Sequence, residues 1–266
     1  MKKVLALVIA LVLLVGCAAC GKKEEKSKLE QIKDAGKLVV GTSADYPPFE
    51  FHTEIDGVDT IVGIDIDICQ YIADDLGVEL EIVDMNFDNL VMSLKQGEFD
   101  IVAACMSADE KRMQSIDFTD VVYYTDTVMI TKKEIAGDFT EPEDLEGHKV
   151  GAQSGSKPYE KAAEYAGETN VVGLTKLQDL ILEVQNDKIE GALMDELVAN
   201  AYASANPELE VCPFRFERTE YSGIRIGVQK GDEEFTEYLN TVIAKLIEED
   251  LISGYTLEAQ KLAGME

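Results

Sequence analysis

The stretch GIDIDICQYIADDLGVELEIVDMNFDNLVMSLKQGEFDIVAA, residues 63–104, decides the fold class because helical and extended patterns alternate along it. The predicted elements are a helix at 69–76, a strand at 78–83, a helix at 88–95 and a strand at 99–102. Gly77 and Gly97 end the two helices. A further strand is predicted before this stretch, at 37–42. Such β-α-β-α-β alternation predicts an α/β fold with a mostly parallel sheet and helices on both of its faces.

The loops that follow the predicted strands are the expected binding surface. In open α/β sheets, ligands lie beyond the carboxyl ends of the strands. Those ends fall at residues 43–46, 86–87 and 104–107. The first of these loops is stiff, because Pro47 and Pro48 restrict its backbone and exclude a helix.

Residues 107–112, SADEKR, contain the first candidate for ligand binding. The run SADE has the S/T-x-x-E form of a capping box, which predicts a helix beginning just after Ser107. The free backbone N–H groups of a helix N-terminus favour an anion. Arg112 can hold a carboxylate through two parallel charge-assisted hydrogen bonds. An arginine on a short helix is more often a solvated surface charge, so these residues alone leave both interpretations open.

The pattern restarts in the second half of the chain. An extended run at 121–131 is longer than one lobe requires and is predicted to cross to a second lobe. The elements predicted next are strands at 149–152, 171–172 and 189–193 and helices at 158–165, 177–186 and 196–204. A last strand at 221–228 and helices at 233–248 and 255–262 are predicted to return to the first lobe.

The first 16 residues are predicted to be a signal peptide. Two lysines precede an apolar run at 4–15, and residues 14–17, LVGC, have the form of a lipobox. The segment therefore looks like a bacterial lipoprotein signal with lipid attached to Cys17. An ordinary secretory peptide is the alternative. Residues 17–28 are polar and rich in lysine, which predicts a flexible tether.

Composition excludes several classes of function. The chain has 52 acidic and 24 basic residues and a formal net charge of −28, which disfavours nucleic acid and anionic lipid as partners. Cys69, Cys105 and Cys212 are odd in number and have no metal-ligand spacing. Asp65 and Asp67 lack the other ligands of an EF-hand loop and are interpreted as helix-starting acids. No metal and no cofactor are predicted.

Four motifs together resemble those of the solute-binding proteins of ATP-driven polar amino acid importers. They are YPPFEF at 46–51, GIDID at 63–67, the segment 100–120 with IDFT at 116–119, and GALMD at 191–195. The match covers roughly residues 37–262. The resemblance implies a two-lobed, periplasmic-binding-protein-like fold of type II, in which each lobe is a mixed, mostly parallel sheet flanked by helices. It implies a hinge of two strands, with lobe 1 at 29–124 and 221–266 and lobe 2 at 125–220.

The same resemblance implies a function. Such a protein captures a free L-amino acid in the cleft between its lobes and delivers it to the permease of an ABC transporter, which an ATPase drives. It implies a position on the outer face of the bacterial cell membrane, which is the periplasmic side in a host with two membranes. The lipid on Cys17 would be the only attachment to the membrane.

The resemblance also assigns roles in the cleft by position. Tyr46 and Phe87 correspond to aromatic walls, Arg112 to a fork for the ligand carboxylate, and Asp195 to the acceptor of the α-ammonium group. Further ligand contacts are implied for Ser43, Ala104, Cys105, Met106, Ser107, Gln153, Ser156 and Lys157. A zwitterion needs a bidentate cation and an anion close together, and aromatic faces shield both pairs from water.

The residue at position 43 bears on the class of amino acid. Relatives that take lysine, arginine or histidine tend to have an acid where this chain has Ser43, so a buried cationic side chain would lack that partner. Gln153 and Ser43 can instead exchange hydrogen bonds with an amide or hydroxyl. Asp45 and Glu50 are expected to point away from the walls. A neutral L-amino acid, glutamine-like or small and polar, is therefore predicted ahead of a basic one, and Lys157 leaves an acidic ligand as a weaker option.

Two rival functions share this fold. One is an enzyme that dehydrates prephenate or arogenate, but such an enzyme needs a general acid in the cleft, and only Asp195 is a candidate. The two histidines, His52 and His148, lie in no hydrolase motif. The other rival is an amino acid sensor that does not serve transport. No catalytic residue is predicted.

Overall fold

A computed structural model describes residues 26–265. The strands of this part are β1 (Lys37–Thr42), β2 (Asp45–Tyr46), β3 (Glu50–Ile55), β4 (Val58–Val62), β5 (Glu79–Asp84), β6 (Ile101–Val102), β7 (Ile116–Phe118), β8 (Thr127–Lys132), β9 (Val150–Gln153), β10 (Val171–Leu174), β11 (Gly191–Asp195), β12 (Leu209–Val211) and β13 (Gly227–Gln229). The helices are α1 (Lys28–Ala35), α2 (Ile64–Leu76), α3 (Leu90–Gln96), α4 (Glu110–Met113), α5 (Lys157–Ala166), α6 (Leu177–Gln185), α7 (Glu196–Ala205), α8 (Glu233–Glu248) and α9 (Leu251–Leu262). Within residues 26–265, no helix combines the length and the apolar character needed to span a membrane.

The predicted signal peptide, the predicted lipid site at Cys17 and most of the predicted tether lie outside the described residues. The end of the predicted tether is helical, because Ser27 caps α1 and the helix begins at Lys28. The side chain of Ser27 accepts a hydrogen bond from the Glu30 N–H, and the Glu30 carboxylate accepts one from the Ser27 N–H. This reciprocal capping box explains the early start of the helix.

The first sheet has the strand order β5-β1-β6-β13-β7. Strand β1 runs parallel to β5 and β6, whereas β13 is antiparallel to β6 and β7. Helices α1, α2 and α3 pack on β1. Leu38, Val40 and Ile101 are completely buried as a result. This sheet and its helices form the first lobe, and the last helices of the chain, α8 and α9, pack on α2 and belong to it.

The second sheet has the strand order β10-β9-β11-β8-β12. Strand β9 runs parallel to β10 and β11, and β8 is antiparallel to β11 and β12. Helices α5, α6 and α7 flank it. The sheet forms the second lobe, so the predicted two-lobed α/β fold with mixed sheets is confirmed. Each sheet is mixed because the chain enters or returns to its lobe on an antiparallel strand.

Two segments, 119–126 and 212–226, connect the lobes. They run side by side in opposite directions, since the Val122 N–H donates to the Ile224 carbonyl and the Ile224 N–H donates to the Tyr123 carbonyl. The bonds are 2.8 and 2.7 Å long. A pair of short hydrogen-bonded crossings is the geometry of a hinge, because few backbone angles need to change for the lobes to move.

The predicted start of one helix and the predicted bounds of one strand are wrong. Ser107 does not cap a helix; it forms an isolated bridge with Ile224 of the returning segment. Helix α4 begins at Glu110, and its N-cap is Asp109, whose carboxylate accepts the Arg112 N–H at 2.7 Å. The predicted strand at 121–131 divides into the hinge segment and β8, because its first half pairs with the other crossing.

Strands β3 and β4 form an antiparallel hairpin. Its loop residues, Asp56 and Gly57, have φ angles of 52° and 81°. Two residues with positive φ make a type I′ turn, whose twist matches the strands that it joins. Strands β2, β3 and β4 form a small third sheet beside the cleft.

Candidate functional site

A cavity of about 520 Å³ lies between the two lobes. Of the residues predicted to contact a ligand, those that line it are Tyr46, Phe87, Ala104, Cys105, Ser107, Arg112, Gln153, Ser156, Lys157 and Asp195. They come from the carboxyl ends of parallel strands in the first lobe and from strand ends and a helix start in the second. The sheet topology therefore brings together residues that are more than a hundred positions apart in the sequence.

Ser43 and Met106 do not line this cavity, contrary to the prediction. Ser43 is buried, and its hydroxyl donates to a carboxylate oxygen of Asp45 at 3.1 Å. Met106 is buried in the first lobe, and its carbonyl accepts the Arg225 N–H at 2.8 Å. The Met106 carbonyl thus contacts the returning hinge segment.

Arg112 forms the cationic side of the cavity. Its guanidinium is buried, with Nη1 donating to the Ser107 carbonyl at 2.5 Å and Nη2 donating to the Gly155 carbonyl at 2.9 Å. Burial lowers its pKa, and the Asp109 carboxylate, 3.5 Å from Nε, opposes that shift. The ring of Phe87 lies 5.4 Å from the guanidinium carbon. The fork is held rigidly at the cleft, and its Nη2 already bridges to the second lobe.

Lys157 lies beside this cation at the N-terminus of α5. Its ammonium group pairs with Asp109 at 3.0 Å and with Glu160 at 2.5 Å. Ser156 caps the helix, because its hydroxyl accepts the Tyr159 N–H. Two carboxylates thus already accompany Lys157, which leaves Arg112 as the better partner for a ligand carboxylate.

Asp195 forms the anionic side, at the end of β11. One oxygen of its carboxylate accepts the Tyr46 hydroxyl at 2.7 Å, and the Asp195 N–H donates to the same hydroxyl oxygen at 3.0 Å. The Cys105 thiol lies 3.8 Å from this carboxylate oxygen. Burial raises the pKa of Asp195 to about 6, and the hydrogen bonds from Tyr46 and Cys105 oppose the rise. Within the described residues no cation pairs with this carboxylate, so an ammonium group fits here.

Behind Cys105 lies a group of buried acids that sequence reasoning missed. Glu50 is 1% exposed, and one of its carboxyl oxygens has no hydrogen-bond partner among the described residues. Burial raises its pKa far above the usual value, and the nearby Asp65, Asp45 and Asp195 raise it further. Asp65 accepts the Cys105 N–H at 2.7 Å. Glu50 and Asp65 belong to the YPPFEF and GIDID motifs, which carry the resemblance but give no sign that their acids are buried.

Asp65 lies in the first turn of α2, as the prediction of a helix-starting acid requires. It is also buried beneath the cavity, which the sequence pattern does not indicate. Burial raises its pKa to about 6, and hydrogen bonds from the Cys105 backbone and from Glu50 oppose the rise. Cys105 itself has a φ of 45°, an unusual value for a residue with a side chain. The Asp65 carboxylate holds that backbone in place at the cavity wall.

The cavity extends outward along one face of α5. Lys157, Glu160, Lys161 and Glu164 line it at the spacing of successive helical turns. Sequence reasoning missed the last three, and this i, i+3, i+4, i+7 pattern of charges was the available signal. The hinge segment 219–224 lines the opposite edge.

Comparison with known proteins agrees with this geometry. The family model of the bacterial extracellular solute-binding proteins, family 3, matches residues 38–255. The arginine-binding extracellular protein ArtP of Bacillus subtilis is 33% identical over 248 residues, which cover 92% of this chain and 93% of that protein.

Two solved structures are similar over nearly their whole length. The substrate-binding protein AbpA of an amino acid ABC transporter from Streptococcus pneumoniae, bound to L-arginine, has a TM-score of 0.84 at 32% identity and covers 88% of this chain and 98% of its own. An ancestral arginine-binding protein bound to glutamine has a TM-score of 0.75 at 29% identity and covers 87% and 99%.

Proposed function

The chain belongs to family 3 of the bacterial extracellular solute-binding proteins, and from this premise we propose how its cleft captures a free amino acid for an ABC transporter. Like these relatives, it is an extracellular binding protein and not an enzyme. The observation that carries the proposal is the placement of a buried cation on one lobe opposite a partly buried carboxylate on the other. Arg112 and Asp195 match the two ends of a zwitterion.

Each wall of the cavity has a role in this proposal. The α-carboxylate takes the Arg112 fork and the N-terminus of α5, where Ser156 and the helix dipole favour an anion. The α-ammonium group takes the Asp195 carboxylate. Tyr46 and Phe87 flank the side chain and keep water from both pairs, which strengthens them. The other predicted residues that line the cavity form the rest of its wall.

We propose a cationic amino acid, arginine before lysine, as the preferred ligand. The support is the group of acids behind Cys105 together with the arginine-binding relatives. Asp65 accepts the Cys105 N–H at 2.7 Å, and the Cys105 thiol lies 3.8 Å from an Asp195 oxygen, so two carboxylates stand directly behind this part of the cavity wall. In a buried site with a low local dielectric, the negative potential of these carboxylates favours a cationic side chain.

A neutral polar ligand, the prediction from the residue at position 43, remains the alternative. The amide of Gln153 lines the cavity and offers a hydrogen bond to an amide or hydroxyl. The ancestral relative bound to glutamine supports this alternative, since a similar fold accepts that side chain. Ser43 itself contributes less than expected, because it lies outside the cavity.

Calorimetry on ligand-stripped protein tests both proposals. We expect arginine to bind at least about tenfold more tightly than glutamine, a difference of about 1.4 kcal/mol. The variant Asp65→Asn should weaken arginine binding by a larger factor than glutamine binding. Glutamine binding more tightly than arginine would support the neutral alternative, and no binding by any amino acid would contradict the function itself.

The arrangement along the chain completes the proposal. Lobe 1 comprises 29–124 and 221–266, lobe 2 comprises 125–220, and a lipid on Cys17 holds the protein on the outer face of the cell membrane. The hinge pairing of 119–126 with 212–226 supports these boundaries. The closed lobes would present the permease with a surface that the open form lacks.

A further inference from the structure

The N-terminus of helix α6 in the second lobe is capped by a residue of the first lobe. Its own N-cap residue, Lys176, makes no side-chain capping bond. Instead, a carboxylate oxygen of Asp45, on β2, accepts the Leu177 N–H at 2.9 Å. The other oxygen accepts the Gln153 side chain at 3.3 Å and the Ser43 hydroxyl at 3.1 Å.

Asp45 differs in position from Tyr46 and Arg112, two other residues that bond across the cleft. Tyr46 and Arg112 also bond across the cleft, but both line the cavity and are expected to touch the ligand. Asp45 is 4% exposed and does not line the cavity. Its acceptor bonds therefore serve the contact between the lobes.

These bonds depend on closure of the cleft. Asp45 and Ser43 belong to the first lobe, whereas Leu177 and Gln153 belong to the second. When the lobes separate, the end of α6 loses its partner, and the Asp45 carboxylate faces water. A helix N-terminus prefers a carboxylate because its free N–H groups and its dipole are both positive, and the nearby Lys176 adds to the attraction.

We propose that Asp45 is a closure latch, a positioning residue that stabilises the shut cleft without touching the ligand. The inference rests on the proposed function, in which an amino acid binds the closed state. A latch of this kind raises the closed fraction before the ligand makes any contact. It therefore raises the affinity for every ligand by the same factor and leaves their ratio unchanged.

The test compares wild type with Asp45→Ala, which removes both acceptor oxygens. We expect the affinities for arginine and for glutamine, measured by calorimetry, each to fall about tenfold with their ratio unchanged. Hydrogen exchange at the Leu177 amide is the second readout. With saturating ligand, that amide should be protected in wild type and at least about tenfold less protected in the variant.

Asp84→Ala is the matched control. Asp84, the last residue of β5, accepts the N–H of Ala44, the residue before Asp45, at 2.8 Å. Both residues belong to the first lobe, so this bond should survive opening. We expect this variant to change both affinities by less than about twofold while it lowers thermal stability. If Asp45→Ala does not fold, Lys176→Ser takes its place as the test variant. A serine at position 176 can cap α6 from within the second lobe, in the open form as well as in the closed form. Closure then gains less from Asp45, and the affinities for arginine and glutamine should fall together.

Three results would overturn the latch. The first is unchanged affinities in Asp45→Ala, and the second is unchanged protection of the Leu177 amide. The third is a loss of affinity confined to arginine, which would make Asp45 a direct partner of the cationic side chain. Failure of the wild type to bind any amino acid would instead count against the proposed function. The latch is then judged on Leu177 exchange in the ligand-free proteins, where equal protection in wild type and variant would exclude it.

Discussion

Single side chains from opposite lobes are expected to hold the two charged ends of an amino acid. Arg112 is buried on the first lobe, and Asp195 of the second lobe accepts a hydrogen bond from Tyr46 of the first. Each would pair with a charged end of the ligand. A change at either residue leaves a charged end of the ligand unpaired in a site with little water, which costs more than losing a surface ion pair.

Replacing Arg112 with lysine should weaken binding more than about thirtyfold. A lysine provides one point charge in place of a planar fork, and losing a buried charge-assisted bond costs roughly 2–5 kcal/mol. Calorimetry measures the change. Arg218→Lys is the control, since Arg218 is 52% exposed and pairs with Asp126 away from the fork. An Arg112→Lys affinity within about threefold of wild type would remove the fork from the site.

Binding should weaken as the pH falls below about 6. Burial raises the pKa of the ligand-free Asp195 to about 6. Below that pH the carboxyl group is protonated and neutral, so the α-ammonium group lacks its counter-charge. Affinity should therefore fall by up to tenfold per pH unit between about pH 6 and about pH 4.5. Titrations across this range test it, and Asp195→Asn should bind weakly with a flatter pH profile.

The same shift has the opposite sign for the stability of the ligand-free protein. Because the folded state holds the Asp195 proton more tightly than the unfolded state, protonation stabilises it. That contribution is fully present below the usual carboxyl pKa and is lost as the pH rises through about 6. Asp65, whose pKa is also about 6, acts in the same direction.

Most of these residues could be predicted because a motif carried them. Tyr46, Arg112 and Asp195 came from three of the four motifs and Phe87 from its position in the resemblance, at the end of a predicted strand, and the structure places all four around one cavity. Glu50 and Asp65 lay in the same motifs but were not assigned to the site. An acid is usually exposed, so its burial follows from tertiary packing that no local pattern records.

Individual elements show how tightly the first lobe is packed. Gly41 lies on β1, an interior strand of the first sheet, and a Cβ atom there would come within 2.5 Å of the Phe99 ring. Gly41→Ala should lower the free energy of unfolding by roughly 1–3 kcal/mol, because the ring must shift in a filled core. Urea denaturation measures this. A stability equal to wild type would show that the ring moves freely.

A glycine on a helix provides the opposite control. Gly254 lies inside α9, and among the described residues no side chain comes within 4 Å of the place that an alanine methyl group would take. Gly254→Ala should raise the free energy of unfolding by roughly 0.5–1 kcal/mol, because alanine has the higher helix propensity. Denaturation of both variants under identical conditions separates packing from propensity.

Elements with a strong period were predictable and elements set by their partners were not. Helix α8 was predicted with its observed bounds, Glu233–Glu248, because its apolar residues recur at the helical period. The start of α4 was misplaced because two residues, Ser107 and Asp109, could each act as a cap. The bridge of Ser107 with Ile224, far along the chain, decides between them.

At the scale of the whole molecule, attachment to the membrane can be tested separately from binding. The lipobox at residues 14–17 predicts that Cys17 carries lipid and becomes the first residue of the mature protein. Palmitate supplied during growth should label wild type and leave Cys17→Ala unlabelled. Cys20→Ala is the matched control and should label normally. Label that survives Cys17→Ala would contradict the anchor.

The described structure has its lobes in contact across the cleft. Tyr46 bonds to Asp195, Arg112 bonds to the Gly155 carbonyl, and Lys157 pairs with Asp109. These contacts identify it as the closed form. The two-lobed architecture was predictable, since two α/β patterns and the motifs indicated it, but the bonds between the lobes were not, because they join residues brought together only by closure.

Small-angle scattering on ligand-stripped protein, with and without a saturating amino acid found by calorimetry, tests the central claim most directly. We expect the radius of gyration to fall on binding, and the liganded curve to match the one expected for the closed lobes described above. A ligand that binds with no compaction would contradict capture by closure of the lobes.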